Sequence, residues 1–159
     1  LYKDGRRVTT HNDDLLEDFE AITAEDTQTG YIYILRSLSE NQDIHTIQHL
    51  YKIGFSTVPV AERIKNAAQE PTYLNAPVSI VSAYQCYNLN PQKLEQLLHT
   101  FFGRACLDVD LYDKAGKRYI PREWFVAPIE VIEQAVVLLM NGEIIHYQYD
   151  AEKQEIVAK

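Results

Sequence analysis

The 159-residue sequence has only two cysteines, no long apolar run and no excess of basic residues. Cys86 and Cys106 lack a partner at the spacing of a zinc site or a disulfide framework, which predicts free thiols in a reducing compartment. No stretch approaches the roughly 18 consecutive apolar residues that a membrane span requires, and no basic leader precedes an apolar segment. We therefore expect neither a membrane span nor a signal peptide, and we predict a cytoplasmic protein.

The chain has only 6 glycines and 6 prolines, while 46% of its residues are hydrophobic. A chain of this length can bury one core, so we expect one domain, over residues 29–150. An acidic N-terminal arm is expected over 1–28 and a tail over 151–159. Because the first residue is Leu1 rather than methionine, we expect the arm to end a truncated upstream region, which could include a further domain.

The net charge of −8 argues against strong long-range attraction to a polyanion. The acidic excess lies at the two ends of the chain, whereas residues 51–123 carry slightly more basic than acidic side chains. This distribution predicts a central region that can hold a phosphate backbone locally, with an affinity that falls steeply as salt rises.

Alternation and β-branched or aromatic residues predict strands at 31–35, at about 50–55 and at 78–87. Prolines are favoured in the first turn of a helix, so helices are predicted to begin at Pro59, Pro91 and Pro128. A hairpin is predicted over 107–120 and a last strand over 144–149. The predicted fold is α+β, of α/β-sandwich type, with a small central antiparallel three-stranded β-sheet flanked by helices and a C-terminal helix and strand.

Two strand-like strings are followed by an arginine and a glutamate on helix-like segments. The strings are Gly30-Tyr31-Ile32-Tyr33-Ile34-Leu35 and Tyr51-Lys52-Ile53-Gly54-Phe55, and the two later residues are Arg63 and Glu95. A guanidinium is a planar fork suited to phosphate, and a carboxylate is a hard ligand for a divalent cation. The combination indicates phosphodiester chemistry.

This order of elements resembles the GIY-YIG nuclease family, in its phage-type branch with a Lys-Ile-Gly second motif, over residues 30 to about 126. Tyr33 matches the tyrosine of the first motif and Ile53-Gly54 matches the end of the second. Arg63 and Glu95 match the arginine and the metal-binding glutamate. A later signature of the same branch is matched by Leu94-Glu95, His99, Phe102, Arg104 and Glu123-Trp124-Phe125.

The resemblance implies a metal-dependent DNA endonuclease, a hydrolase that holds one Mg²⁺ or Mn²⁺ through Glu95. Tyr33 would orient or deprotonate the attacking water, and Arg63 would contact the phosphate. Lys52 stands where most of the family has a tyrosine, and Tyr51 would point to the opposite face of the strand. Lys52 is then the candidate cation that lowers the pKa of Tyr33, and His99 could orient Glu95 or transfer a proton.

The expected partner is DNA. Contacts to nucleic acid are expected from basic residues of the central region, namely Lys65, Arg104, Lys117, Arg118 and Arg122. A homodimer through the C-terminal helix and strand is a further expectation. Two other functions stay open: a catalytically weak or inactive nucleic-acid-binding or protein-interaction module on the same fold, and a dimerisation appendage.

Overall fold

The computed structural model describes residues 29–87, 90–107, 109–112, 115–119 and 121–159; the arm predicted over 1–28 lies outside them. Its centre is an antiparallel sheet in the order β3-β1-β2-β6. The strands are β1 (Thr29–Ser37), β2 (Leu50–Ser56), β3 (Val78–Tyr87) and β6 (Trp124–Val126). The three predicted strands are confirmed. The sheet gains a fourth because Trp124–Val126 pairs with the start of β2.

Strand alternation gives the sheet two different faces. Ile32 and Ile34 of β1 pack with Ile53 of β2 in the main core, whereas Tyr33 and Leu35 belong to a smaller cluster on the opposite face. Tyr51 packs against the main core, as predicted, on the face opposite to Lys52. Tyr33 and Lys52 therefore lie on the face of the sheet opposite the main core.

Two long helices cover the main-core face: α3 (Pro91–Phe102) and α4 (Ile129–Asn141). Asn90 begins α3 by accepting a hydrogen bond from the backbone N–H of Lys93, and Gly142 ends α4 with a left-handed φ of 80°. Both predicted helix starts are confirmed. Within the described residues, no helix is long and apolar enough to cross a membrane.

The opposite face is covered by short elements. The helix that follows Pro59 is a single turn, α2 (Val60–Arg63), and two 3₁₀ turns follow at Ala67–Gln69 and Pro71–Tyr73. Val60, Ala67 and Tyr73 are buried in the same cluster as Tyr33. Another short helix, α1 (Gln42–His45), lies between β1 and β2. The chain from 57 to 77 thus forms an irregular cover over Tyr33.

Two small hairpins complete the domain. The predicted hairpin is present as β4 (Leu111–Tyr112) and β5 (Arg118–Tyr119). At the C-terminus, a 3₁₀ turn at Glu143–His146 precedes β7 (Tyr147–Asp150), which pairs with β8 (Glu155–Ala158). The predicted tail therefore contains a strand, and the last predicted strand is paired within the chain. A partner chain is not needed to satisfy it.

Candidate functional site

A buried pair of tyrosines forms the centre of the candidate site. The hydroxyl oxygens of Tyr33 on β1 and Tyr73 in the second 3₁₀ turn lie 2.9 Å apart. Both side chains are almost inaccessible, with relative exposures of 1% and 0%. Because a buried hydroxyl needs a partner, each satisfies the other. The second tyrosine of the site is thus Tyr73, which lies 40 residues from Tyr33.

Gly54 provides the space for the Tyr33 ring. It pairs directly with Tyr33 across β1 and β2. A Cβ atom at position 54 would lie 2.3 Å from Cε1 and Cζ of Tyr33 and 2.5 Å from its hydroxyl oxygen. The glycine is therefore explained by the close approach of an aromatic ring, and it fixes the position of the Tyr33 hydroxyl.

Arg63 lies at the end of α2 and is paired within the chain. Its Nη1 donates to both carboxylate oxygens of Glu70, at 3.1 Å and 3.3 Å. Its guanidinium carbon is 5.0 Å from the centre of the Tyr73 ring. Arg63 also borders a cavity of about 270 Å³, whose other lining residues are Phe55, Ser56, Thr57, Val58 and Pro91. A ligand oxygen can thus approach the guanidinium from the cavity.

Lys52 is almost fully buried and forms an ion pair that holds the Tyr73 turn. Its Nζ donates to Oε1 of Glu123 at 2.7 Å and to the Thr72 hydroxyl at 3.1 Å. The Trp124 indole N–H donates to the Thr72 carbonyl at 3.0 Å. These bonds connect strands β2 and β6 to the Pro71–Tyr73 turn. Lys52 therefore positions Tyr73 through its neighbour Thr72.

The prediction that Lys52 lowers the pKa of Tyr33 is wrong. Burial raises the pKa of Tyr33 far above its usual value, and the hydrogen bond that its hydroxyl donates to Tyr73 raises it further. The charge that opposes this shift belongs to Arg63. The ammonium of Lys52 is instead committed to Glu123 and Thr72. Tyr33 is consequently a neutral phenol at neutral pH.

The raised tyrosine pKa values predict a loss of stability at high pH. Below the unfolded-state pKa of about 10, Tyr33 is protonated in both states and its contribution is complete. Above it, the unfolded state releases its proton first, so the free energy of unfolding falls as pH rises. Denaturant unfolding between pH 8 and 11 should show this fall. Tyr33→Phe should make the fall shallower, and an equally steep fall in that variant would contradict this assignment.

Removing the Glu123 charge should destabilise the fold and change its pH dependence. Burial lowers the pKa of Lys52, and Glu123 is the largest opposing influence. Glu123→Gln should cost about 2–4 kcal/mol near neutral pH, because the buried ammonium loses its partner. The cost should shrink toward pH 10, since the folded state loses the Lys52 proton before the unfolded state does. Denaturant unfolding at several pH values measures both effects, and restored stability in Lys52→Met/Glu123→Gln would confirm the cause.

Glu95 lies on α3, and its charge contributes to raising the pKa of Lys52, against the larger lowering effect of burial. The Nε2 atom of His99 is 4.0 Å from Oε1 of Glu95, but it bonds to the backbone carbonyl of Arg122, so it must carry the proton. Nδ1 faces the Cys106 thiol at 3.8 Å. His99 thus connects α3 to the segment before β6, and it has no free nitrogen aimed at Glu95.

The site could hold a divalent cation in one way only, through Glu95 together with water and substrate. Among the described residues, no group of three or more His, Cys, Asp or Glu side chains is arranged to hold a metal. The Glu95 side chain is 32% exposed, however, and Mg²⁺ commonly binds through one or two carboxylates together with water and substrate phosphate. The donor set therefore fits a Mg²⁺ or Mn²⁺ ion held by Glu95 and completed by substrate and water.

The predicted DNA contacts are all exposed but are not clustered. Lys65 follows Arg63 closely, and Arg122 precedes Glu123. Lys117 and Arg118 lie on the β4–β5 hairpin, whose Tyr119 hydroxyl is 3.5 Å from Asn75 Nδ2, so the hairpin is near the Tyr73 turn. Arg118 is paired with Asp110 at 2.7 Å. Arg104 lies beyond the far end of α3, beside the β7–β8 hairpin.

Sequence reasoning missed three residues of the site, Glu70, Thr72 and Tyr73. Thr72 and Tyr73 lie in the loop that Pro71 and Pro77 bracket in the sequence, and Glu70 directly precedes that loop. A signal was present, since Tyr73 is an aromatic residue in a proline-bounded polar loop. Nothing in its spacing, however, relates it to Tyr33, because the contact arises from the tertiary fold.

The fold and site define a small α+β domain with a polar cluster on one face of its sheet. Residues 30–140 match the family model described as the T5orf172 domain, and the chain belongs to that family. It is also 44% identical, over 143 residues, to the "Uncharacterized protein YeeC" of Bacillus subtilis (strain 168). That match covers 87% of this chain but 37% of the relative, so the chain spans little more than a third of its length. No solved structure matches significantly.

The family match corrects the resemblance inferred from the motifs. The T5orf172 domain is a family distinct from GIY-YIG, and no GIY-YIG model matches the chain. The assignment to the GIY-YIG family, including its phage-type branch, is therefore wrong. The short strings that carried it are explained locally: Gly54 accommodates the Tyr33 ring, and Lys52 supports the Tyr73 turn.

Proposed function

We propose that this domain hydrolyses DNA phosphodiester bonds with the aid of a divalent cation. The observation that carries the proposal is the meeting of Tyr33, Arg63 and Tyr73 at one point of the sheet, with Glu95 within electrostatic reach of the adjoining Lys52. Membership of the T5orf172 family supports a nuclease or DNA-binding role in general. The chemistry below derives from the residues of the site.

Arg63 would bind the non-bridging oxygens of the scissile phosphate. A guanidinium is permanently charged and forms short, directional hydrogen bonds with such oxygens. As charge grows on these oxygens during attack, the same bonds become stronger, which lowers the barrier to reaction. The cavity beside Arg63 gives the phosphate a route of approach.

Tyr33 would orient the attacking water. Its hydroxyl can donate to the Tyr73 oxygen, which leaves a lone pair to accept a hydrogen bond from water. Because its pKa is raised, Tyr33 remains protonated and acts by orientation rather than as a pre-formed phenolate. Tyr73 is the positioning partner, and Lys52 holds its turn in place through Thr72.

Glu95 would hold Mg²⁺ or Mn²⁺ together with water and phosphate oxygens. When bound, such an ion stabilises the negative charge of the leaving oxygen. His99 would hold α3 against the segment that precedes β6 through its bond to the Arg122 carbonyl. It is a positioning residue in this account.

A second candidate function is DNA binding without cleavage. It is favoured by the burial of both tyrosine hydroxyls, which places the proposed water-orienting group out of contact with solvent. In that case Arg63, together with the exposed Lys65 two residues later, would still contact a DNA backbone. The two candidates differ only in the outcome of a cleavage assay.

The test is incubation of the full chain with supercoiled, linear, single-stranded and branched DNA, with Mg²⁺, Mn²⁺ or EDTA. We expect metal-dependent cutting of at least one substrate and its loss in folded Arg63→Ala. Binding without cutting on every substrate would reject hydrolysis and favour the second candidate. Cutting that persists in EDTA or in Arg63→Ala would reject this site.

A further inference from the structure

The phosphate-binding arginine is occupied by the chain's own carboxylate. Nη1 of Arg63 donates to both oxygens of Glu70, at 3.1 Å and 3.3 Å. The two oxygens of a carboxylate and two non-bridging oxygens of a phosphodiester present the same kind of acceptor to a guanidinium. Glu70 thus makes the contact that a DNA phosphate would make.

We propose that Glu70 is a built-in competitor for Arg63, which a phosphodiester of the DNA backbone must displace, so that Glu70 limits the affinity of the site for DNA. The inference rests on the proposed role of Arg63 in binding phosphate. Glu70 would then set how tightly DNA binds at Arg63 and how strongly that binding depends on salt concentration.

The exposure of the pair permits the exchange. The side chains of Arg63 and Glu70 are 34% and 35% exposed. Exposed ion pairs are screened by water and salt and contribute little to stability, so a competing anion can replace one partner. Arg63 also borders the 270 Å³ cavity, so the incoming phosphate has room beside the guanidinium.

Only the Glu70 side chain has to move. Its backbone carbonyl accepts hydrogen bonds from the N–H groups of Tyr73 at 3.0 Å and Asn75 at 3.1 Å. The backbone at position 70 is therefore fixed between the two 3₁₀ turns. Rotation of the side chain would release Arg63 while the Tyr33–Tyr73 pair keeps its support from Thr72 and Lys52.

Displacing Glu70 from Arg63 would also change the electrostatic environment of Tyr73. Burial raises the pKa of Tyr73, the charge of Arg63 opposes this shift, and the charge of Glu70 adds to it. Moving the carboxylate away would remove its effect on Tyr73, while the Arg63 guanidinium would remain 5.0 Å from the centre of the Tyr73 ring. Glu70 thus acts on Tyr73 as well as on Arg63, and both residues belong to the site.

The experiment measures binding of a fluorescent DNA duplex to the full chain in EDTA, at low and at physiological salt. The variants are Glu70→Gln, Glu62→Gln, Arg63→Ala and the combination of Arg63→Ala with each glutamine change. Glu62 is the matched control, because it is exposed and adjacent to Arg63 and its replacement removes the same charge. Glutamine keeps the size of the side chain, so each fold should survive.

We expect Glu70→Gln to tighten binding about fivefold at low salt, with a smaller gain at high salt, and Glu62→Gln to change it less than about twofold. With Arg63→Ala present, Glu70→Gln should gain no more than Glu62→Gln. Equal gains at positions 62 and 70, a gain that persists without Arg63, weaker binding by Glu70→Gln, or no binding by any variant would overturn the inference. The binding assay is run in EDTA and does not depend on cleavage. Tighter DNA binding by Glu70→Gln, together with failed cleavage assays, would therefore reject hydrolysis and leave the inference about Glu70 standing.

Discussion

Replacing Tyr33 with phenylalanine is expected to slow DNA cleavage by about 100-fold or more, because the hydroxyl that orients the attacking water is removed. The ring itself remains, so the packing against Gly54 is unchanged. The Tyr73 hydroxyl loses its partner in a buried place, which should cost about 1–3 kcal/mol of unfolding free energy. Single-turnover cleavage and denaturant unfolding measure the two effects separately.

Tyr73→Phe is the matched control for this experiment. It breaks the same hydrogen bond and leaves the Tyr33 hydroxyl unpaired, so its cost in stability should be similar. Its effect on the rate should be roughly tenfold, since Tyr73 only positions Tyr33 in this account. A larger loss of rate in Tyr73→Phe than in Tyr33→Phe would indicate that Tyr73 orients the water and that Tyr33 is the positioning residue. Full activity in Tyr33→Phe would remove the tyrosine from the mechanism.

Gly54→Ala should lower the free energy of unfolding more than the addition of one methyl group at any other position of the site. The added Cβ would lie 2.3 Å from the Tyr33 ring, and that ring is buried, with a relative exposure of 1%. We expect a loss of about 2–4 kcal/mol in unfolding free energy, because the strand or the ring must shift. The remaining folded protein should cleave DNA at least about 100-fold more slowly, since the Tyr33 hydroxyl moves away from Tyr73.

Gly116→Ala provides the comparison for Gly54→Ala. Position 116 has a φ of 81°, and no atom of the described residues lies within 4 Å of an added Cβ, so this variant tests backbone strain without a clash among them. It should cost about 1–2 kcal/mol and leave the cleavage rate of the folded protein unchanged. If the two variants lose stability and rate equally, the contact between Gly54 and Tyr33 does not explain the glycine.

The elements with local signals were predictable from the sequence. Asn90 and Pro91 mark the start of α3, and Gly142 marks the end of α4, because caps depend on a few neighbouring residues. The alternation in 31–35 separates Tyr33 from Ile32 and Ile34, and the structure places them on opposite faces of β1. The short strand β6 was missed, since its three residues carry no period of their own and pair only with a distant strand.

The composition of the site was predictable only in part. The order of short motifs predicts Arg63 and Glu95 as site residues, but it does not predict the pairing of Lys52 with Glu123, which joins residues 71 positions apart. The contact between Tyr33 and Tyr73 likewise depends on how the 57–77 segment folds over the sheet. The same strings led to the wrong family, because a glycine beside a ring and a lysine beneath a turn are local packing solutions that different families can use.

The most direct test of metal-dependent DNA hydrolysis at this site compares supercoiled plasmid cleavage by the unaltered chain and by Glu95→Gln, at saturating Mg²⁺ and Mn²⁺. Glu130→Gln, which removes an exposed charge from the first turn of α4, is the control. We expect metal-dependent cutting by the unaltered chain and by Glu130→Gln. The cleavage rate of a Glu95→Gln variant that remains folded should be lower by about 100-fold or more. Equal cutting by all three proteins, or no cutting by the unaltered chain on any DNA, would contradict metal-dependent hydrolysis at this site.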